Sequence, residues 1–207
     1  MASTVALIDY GAGNLHSVHN ALKAVGAEVI VTSDPSVVRN CNRIVLPGVG
    51  AFGACASGLF AVEGMKDALQ HAVWAGGTPF LGICVGMQLL FDSSEEPYVV
   101  PGIAGLGWMD GVVTALQPND EVKVPHMGWN VVEPVGDESI IKAGEAYFLH
   151  GYAVEADDQR DVAAVTHHGG RVVAAVADRN ILGVQFHPEK SQAYGLDLLA
   201  RFLEWQP

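Results

Sequence analysis

Positive charge is scarce in this chain: Lys and Arg number 11 against 23 Asp and Glu in 207 residues, a formal net charge of −12. A surface that tracks a phosphate backbone needs clustered Lys and Arg, and no basic run supplies one. This argues against nucleic-acid binding, and against an anionic membrane surface for the same reason. A small zwitterion such as an amino acid stays admissible, because a few local groups suffice to hold it. Cysteine is equally sparse. Cys41, Cys55 and Cys84 have neither the even count nor the spacing of a disulfide framework or a zinc knuckle. No stretch approaches the roughly 20 apolar residues that span a bilayer, and the first residues lack the basic flank and apolar run of a signal peptide. A reduced, soluble, cytoplasmic protein is expected. Charged residues are only 16% and hydrophobic residues 50%, against about 25% charged in ordinary soluble domains. Such a balance suits an α/β protein with both sheet faces covered, or one that hides surface against a partner. The length suits one domain over residues 1–207, at about 100–200 residues per domain.

The first part of the chain alternates strand and helix patterns. Strands are expected at Val5–Ile8, Glu28–Thr32, Arg43–Leu46 and Thr78–Ile83. Helices are expected at Leu15–Val25, closed by Gly26, at Leu59–Ala75, stopped by Gly76-Gly77, and from Gly86 to Phe91. Alternation of this kind implies a parallel sheet with right-handed crossovers. From Gly107 onward short strand patterns dominate: Gly111–Leu116, Val131–Val135, Ala146–Leu149, Asp161–Thr166, Arg171–Ala177 and Ile181–Val184. These are expected as an antiparallel or mixed extension of the sheet. A last helix over Gln192–Trp205 carries Leu196, Leu199, Phe202 and Leu203 on one face.

The sharpest local signal is Gly82-Ile83-Cys84-Val85-Gly86, which follows an apolar strand and precedes an apolar helix. It has the glycine–x–nucleophile–x–glycine form of a nucleophile elbow, with Cys in the place of Ser. A side chain at so tight a turn stands clear of the backbone, and the two glycines remove Cβ atoms that would clash. Free N–H groups at the start of the helix would favour a thiolate and an oxyanion. Alone, the pentapeptide fits a small buried cysteine beside ordinary glycines equally well. A nucleophilic Cys needs a base, and among eight histidines His187 stands out. It ends a strand in Val184-Gln-Phe-His187-Pro188-Glu189, and in extended chain residues i and i+2 face one side. Glu189 could then orient the imidazole and stabilise its charged form. Alone, a solvated His and Glu at a strand end is the simpler reading. A third loop, Pro47-Gly48-Val49-Gly50, also follows a strand, and its glycines leave backbone N–H groups available to an oxyanion. In an open α/β sheet, sites gather at the carboxyl ends of the strands, where all three segments fall.

Gly82-Ile-Cys-Val-Gly-Met-Gln88, Phe186-His-Pro-Glu189 and Pro47-Gly-Val-Gly50 together resemble the class I (triad) glutamine amidotransferases. Asp9-Tyr-Gly-Ala-Gly-Asn14, Pro125-His-Met-Gly-Trp-Asn130, Tyr147-Phe-Leu-His150 and His187-Pro-Glu-Lys-Ser191 resemble, within that class, the glutaminase subunits of imidazole glycerol phosphate synthase. The likeness covers nearly the whole chain. It implies a flavodoxin-like open, mostly parallel sheet with flanking helices and an antiparallel extension. It implies Cys84 as nucleophile, His187 as proton carrier and Glu189 as its orienter. Gly48, Val49, Gly50 and the Val85 N–H correspond to oxyanion groups, and Gln88 and Glu96, with the adjacent Glu95 as the alternative to Glu96, to residues that hold L-glutamine. Asn14, Trp129 and Lys190 match positions that meet the cyclase subunit, a (β/α)₈ barrel. Ammonia would pass to that partner, yielding imidazole glycerol phosphate and aminoimidazole carboxamide ribotide. No cofactor is expected, and no metal, since no third ligand stands at metal-like spacing; the resemblance implies an oxyanion loop that can need a peptide flip before it is competent, so that the isolated subunit is nearly idle.

One departure stands out. After His150 the family has a small hydroxyl residue before Tyr, where this chain has Gly151. A hydroxyl contact to glutamine would be lost, or only backbone groups matter and the change is mild. Cys41 and Cys55 have no such surroundings as Cys84. His16, His19 and His71 fall in helix patterns, and the adjacent His167 and His168 would point to opposite faces rather than share a metal. Two other readings stay in view: an amidotransferase serving anthranilate or pyridoxal phosphate synthesis, and a non-catalytic module that keeps the fold.

Overall fold

The computed structural model describes residues 4–97, 103–136 and 140–207. Strands β1 (Thr4–Ile8), β3 (Arg43–Gly48), β4 (Phe80–Cys84) and β12 (Ile181–Val184) are buried almost without interruption. Continuous rather than alternating burial is what a parallel sheet covered on both faces demands. With the edge strand β2 (Glu28–Thr32) they lie in the order β2-β1-β3-β4-β12, all parallel. The same nine-stranded sheet continues through β11 (Arg171–Asp178), β10 (Val162–His167), β7 (His126–Pro134) and β8 (Gly144–His150), all antiparallel to their neighbours. A small second sheet joins β5 (Ser93–Ser94), β6 (Gly111–Ala115) and β9 (Tyr152–Ala156). The parallel core with an antiparallel wing is the architecture expected from the alternation.

Helix α1 (Leu15–Ala24) presses Val18, Ala21 and Leu22 into the core, and α6 (Gln192–Glu204) does so with Gly195, Leu198, Leu199 and Phe202. Helix α2 (Pro35–Asn40) was not expected. Its start is nevertheless marked, for the Asp34 carboxylate accepts from the Ser36 N–H at 2.8 Å and Pro35 occupies the first turn. The long helix expected over Leu59–Ala75 is a correction. It divides into α3 (Phe52–Ala61) and α4 (Met65–Gln70), followed by a π-helical turn His71–Ala75. Extended backbone at Val62 and a left-handed Gly64, φ 77°, break the register between them. Helix α5 spans only Val85–Gln88, shorter than expected, because Leu90 and Phe91 bond back three residues rather than four. Among the described residues no helix is long and apolar enough to cross a membrane.

The topology brings the carboxyl ends of β3, β4 and β12 side by side. Gly48 pairs with Cys84 across β3 and β4, and Val184 pairs with Ile83 across β12 and β4. The three segments singled out by sequence therefore share one edge of the sheet.

Candidate active site

Cys84 ends β4 and begins the turn into α5 at φ 55°, ψ −112°, a conformation that costs a non-glycine residue of order 1–3 kcal/mol. What holds it there is close backbone packing. A Cβ on Gly82 would sit 2.5 Å from the Gly86 carbonyl oxygen, and one on Gly48 2.6 Å from the Gly86 nitrogen. A Cβ on Gly86 would collide with the Leu46 carbonyl oxygen. The turn is thus clamped against β3, and the thiol stands at its tip.

His187 reaches the same point from the end of β12. Its N–H donates to the Tyr147 carbonyl at 2.9 Å, and its own carbonyl accepts from the Ser191 hydroxyl at 2.7 Å. The ring nitrogen Nδ1 lies 2.9 Å from Glu189 Oε1, with the two side chains only 2% and 1% exposed. The contact is the one expected, but its geometric reason is different. Residues Pro188–Lys190 form a 3₁₀ turn, not extended chain, and it is this turn that swings Glu189 back onto the ring. Burial alone would push the imidazolium down; hydrogen bonds with Cys84 and Glu189, and the charges of both, overcome it and lift the His187 pKa to about 9. A protonated imidazole beside the Cys84 sulfur, backed by a carboxylate, is an arrangement suited to attack on an acyl carbon.

Cys84 and His187 open onto a cleft with about 510 Å³ of empty space, lined also by Val49, Gly50, Val85, Gln88, Glu96 and Lys190. Eight of the expected site residues thus share one wall system, counting these six with Cys84 and His187. Gly48 lies just behind, at the clamp, and Glu189 behind His187. Asn14 and Trp129 do not line the cleft. Asn14 sits on the turn before α1, where Gly13 packs on Pro47, and Trp129 is exposed on β7. The Glu96 carboxylate accepts from the Phe52 N–H at 2.6 Å, which ties the loop after β5 to the first turn of α3. The loop Pro47–Gly50 is held from beneath: Tyr10 Oη donates to the Pro47 carbonyl at 2.7 Å, and Cys55 Sγ donates to the Val49 carbonyl at 3.4 Å. Burial pushes the Cys55 thiol up, which keeps it a donor. Cys55 therefore has a structural partner in this loop, which its sequence surroundings did not reveal.

The remaining wall, Leu149, His150, Gly151 and Tyr152, comes from the β8–β9 corner. A Cβ at Gly151 would meet nothing closer than Val124 Cγ1 at 3.8 Å, so this wall has room that a hydroxyl side chain would fill. His150 is also part of a histidine cluster that sequence spacing did not disclose. His126 Nδ1 lies 3.1 Å from His150 Nε2, and the His126 ring stacks on His168 at 4.1 Å between centroids. The link is the β7–β8 register, which pairs His126 with His150. Burial, against the hydrogen bond that the ring donates to the Tyr152 carbonyl, lowers His150 to about 4; burial and the neighbouring His150 lower His126 to about 3.

These shifts fix how stability should vary with pH. Unfolded histidines take up protons below about pH 6.5, whereas folded His150 and His126 stay neutral, so stability falls as pH drops from about 6.5 toward 4. His187 has the opposite sign: its contribution is complete below about 6.5 and is lost as pH climbs through about 9. Urea midpoints should therefore peak near neutrality, with each group costing roughly 1 kcal/mol per pH unit inside its window. A midpoint that is flat from pH 5 to 9 would contradict this.

An open α/β sheet with a cysteine elbow, a His–Glu pair on the neighbouring strand and a glycine loop on the other side defines a triad amidotransferase. The model of the family "Glutamine amidotransferase class-I" matches residues 6–205, and the chain belongs to that family. Within it, the chain is 56% identical over 211 residues to the imidazole glycerol phosphate synthase subunit HisH of Zymomonas mobilis subsp. mobilis, covering 100% of this chain and 98% of that one. It is 47% identical to the subunit of the same name from Caulobacter vibrioides, covering 99% of each. Two solved structures share the fold, both with a TM-score of 0.74. One is a glutamine amidotransferase at 20% identity, covering 96% of this chain and 97% of that one. The other is PurLQS from Thermotoga maritima at 17% identity, covering 99% and 98%.

Proposed function

We propose that this protein is the glutaminase subunit of an imidazole glycerol phosphate synthase, working as one domain over residues 1–207 in the cytoplasm. The observation that carries the chemistry is the buried His187–Glu189 pair set against the Cys84 thiol in a cleft of amino-acid size. Cys84 Sγ attacks the carboxamide carbon of L-glutamine, and the developing oxyanion is received by N–H groups of Val85 and of the loop Gly48–Gly50. His187, charged up to about pH 9, gives its proton to the departing ammonia, leaving a glutamyl thioester. The now neutral imidazole takes a proton from water as it adds to the thioester, and the thiolate leaves with glutamate formed. Glu189 keeps the ring in one orientation throughout. Gln88 and Glu96, both on the cleft walls, are assigned to the glutamine amino-acid end, with the Glu96 carboxylate opposite its ammonium group. No cofactor is invoked, and among the described residues no group of His, Cys, Asp and Glu is arranged to hold a metal.

The partner reading rests on the outer face of β7 and β8. The strand alternation turns His126 and Asn130 inward, and leaves Met127 at 66% and Trp129 at 47% exposed, with Val131 and Leu149 beside them. Leu149 also lines the cleft, so this apolar stripe runs to the mouth of the site. A contiguous exposed stripe of this kind is expensive on a protein without a partner. Lys190 lies at the same mouth, its Nζ 6.0 Å from the Tyr147 ring. We assign this face, with Asn14, to the (β/α)₈ cyclase subunit, which would receive ammonia to form imidazole glycerol phosphate and aminoimidazole carboxamide ribotide.

The test is glutamate release by the chain alone, and with the barrel subunit and its nucleotide ligand. Slow release alone and a large gain with both are expected; equal rates would refute the assignment to this synthase. Trp129→Asp should weaken the complex by about thirtyfold or more, the effect of losing a central aromatic anchor, as read by titration of one subunit into the other. Binding at the unmodified affinity would remove β7 from the interface.

A further inference from the structure

The carbonyl of Tyr152 sets the direction of the hydrogen bonds that run from β9 to the nucleophile. A carbonyl oxygen only accepts. Gln88 Nε2 stands 3.1 Å from it, so the NH₂ end of the Gln88 amide faces β9. The same nitrogen lies 3.1 Å from the Gln185 amide oxygen and donates its second proton there. This turns the NH₂ end of Gln185 the other way, 3.6 Å from Cys84 Sγ. Reversing Gln185 would set two donors against each other at Gln88 and a carbonyl oxygen against the sulfur. The second lone pair of Tyr152 is taken as well, by His150 Nδ1 at 2.9 Å. His150 Nε2 then accepts from His126 Nδ1, and His126 Nε2 accepts from Asn130 Nδ2 at 3.1 Å. The Gln88 branch fixes the amide nitrogen of Gln185 toward the sulfur, and the histidine branch takes the remaining lone pair of the Tyr152 carbonyl. Gln185 is 0% exposed and packs where β12 passes β4.

We propose that Gln185 is a further catalytic residue whose amide N–H donates to the Cys84 sulfur, favouring the thiolate and aiming it at the substrate carbon. This rests on Cys84 being the nucleophile. It sets Gln185, the residue after β12, on the sulfur beside His187, whose pKa is raised by its contact with the same thiol. Other titratable groups around the sulfur are Glu96, His150 and Lys190 on the cleft walls, and Tyr10 and Cys55 beneath.

The full chain is treated with iodoacetamide and alkylation is followed at Cys84 and Cys41 by peptide mass spectrometry. Cys84 should react faster than Cys41 in the unaltered protein. In Gln185→Leu, which keeps the bulk and loses the donor, Cys84 alkylation at neutral pH should slow by about ten- to a hundredfold, the range for a hydrogen bond to a charged group. Glutaminase kcat in the presence of the partner should fall by a similar factor with KM little changed. An unaltered alkylation rate, or a loss confined to KM, overturns the proposal. Should the leucine variant fail to fold by circular dichroism, Gln185→Glu carries the test: a carboxylate in place of the donor must slow alkylation, and the original rate again overturns the proposal. Unaltered protein whose Cys84 reacts no faster than Cys41 would instead strike the assignment of Cys84 as nucleophile, a separate failure.

Discussion

Cys84→Ala is expected to abolish glutamine-dependent turnover, a loss of about 10⁵-fold or more, while synthesis fed by free ammonium through the partner continues. The size follows from what the mutation removes. A covalent acyl transfer has no substitute path once its nucleophile is gone, because water assisted by His187 must then attack the unactivated carboxamide instead of a thioester. The survival of the ammonium-fed reaction follows from location. Cys84 is buried within the end of the parallel core, whereas the exposed stripe of Met127 and Trp129 lies on the outer face of the antiparallel wing. Removing one sulfur atom leaves that face untouched, so the complex should form and the barrel should still accept ammonia from solution. Both rates are read from product formation in the reconstituted complex, with glutamine or an ammonium salt as nitrogen source. Residual glutaminase within a hundredfold of the original would sink the assignment of the nucleophile. Loss of the ammonium-fed rate as well would mean that the residue supports the assembly rather than the chemistry.

The parts of this site that were legible in the sequence are those in which a local pattern carries the geometry. A strand that is apolar at every position, then Gly-x-Cys-x-Gly, then an apolar turn, can do little but present the thiol. The nearly continuous burial of β1, β3 and β4 was likewise readable, because parallel strands covered on both faces have no polar side. The interruption of the helix at Val62–Gly64 was less visible, since apolar spacing carries across it and only the conformation of Gly64 reveals the break. The His187–Glu189 contact was anticipated for an inexact reason: the i, i+2 rule belongs to strands, and here a 3₁₀ turn delivers the same closeness. What spacing could not give are contacts made by register between distant strands. His126 meets His150 because β7 and β8 pair in one particular way, and Gln185 meets Gln88 and Cys84 because β12 lies beside β4 rather than beside β2. In β7 the outward set Met127, Trp129 and Val131 alternates with inward His126, Gly128, Asn130 and Val132, so that apolar side chains face solvent while two of the inward ones are polar. That exposed apolar set is the face we assign to the partner subunit.

The same clamp that presents the thiol makes Gly86→Ala the second large effect. A Cβ added there would collide with the Leu46 carbonyl oxygen and lie 2.9 Å from the Leu46 carbonyl carbon and 3.4 Å from that of Pro47. All three are main-chain atoms of a central strand, so no side chain can swing aside. Relief requires β3 and the turn after β4 to part, which breaks the packing of two neighbouring parallel strands in the middle of the core. A cost of roughly 4 kcal/mol is expected, at the upper end for single substitutions, and a fall in Tm of about 10 °C for a chain of this size. Activity should suffer beyond stability, because the loop Pro47–Gly50 and the thiol would move apart, and a displacement of about 1 Å can cost a hundredfold. Gly170→Ala is the control. Its Cβ would find nothing within 4 Å and its backbone is not in the left-handed region, so the change should stay within about 0.5 kcal/mol. Thermal melts of the two variants, run beside the unaltered chain, decide the matter. A Gly86→Ala protein melting within two or three degrees of the original would mean that the elbow yields freely, and that its backbone conformation is not what holds Cys84 in position.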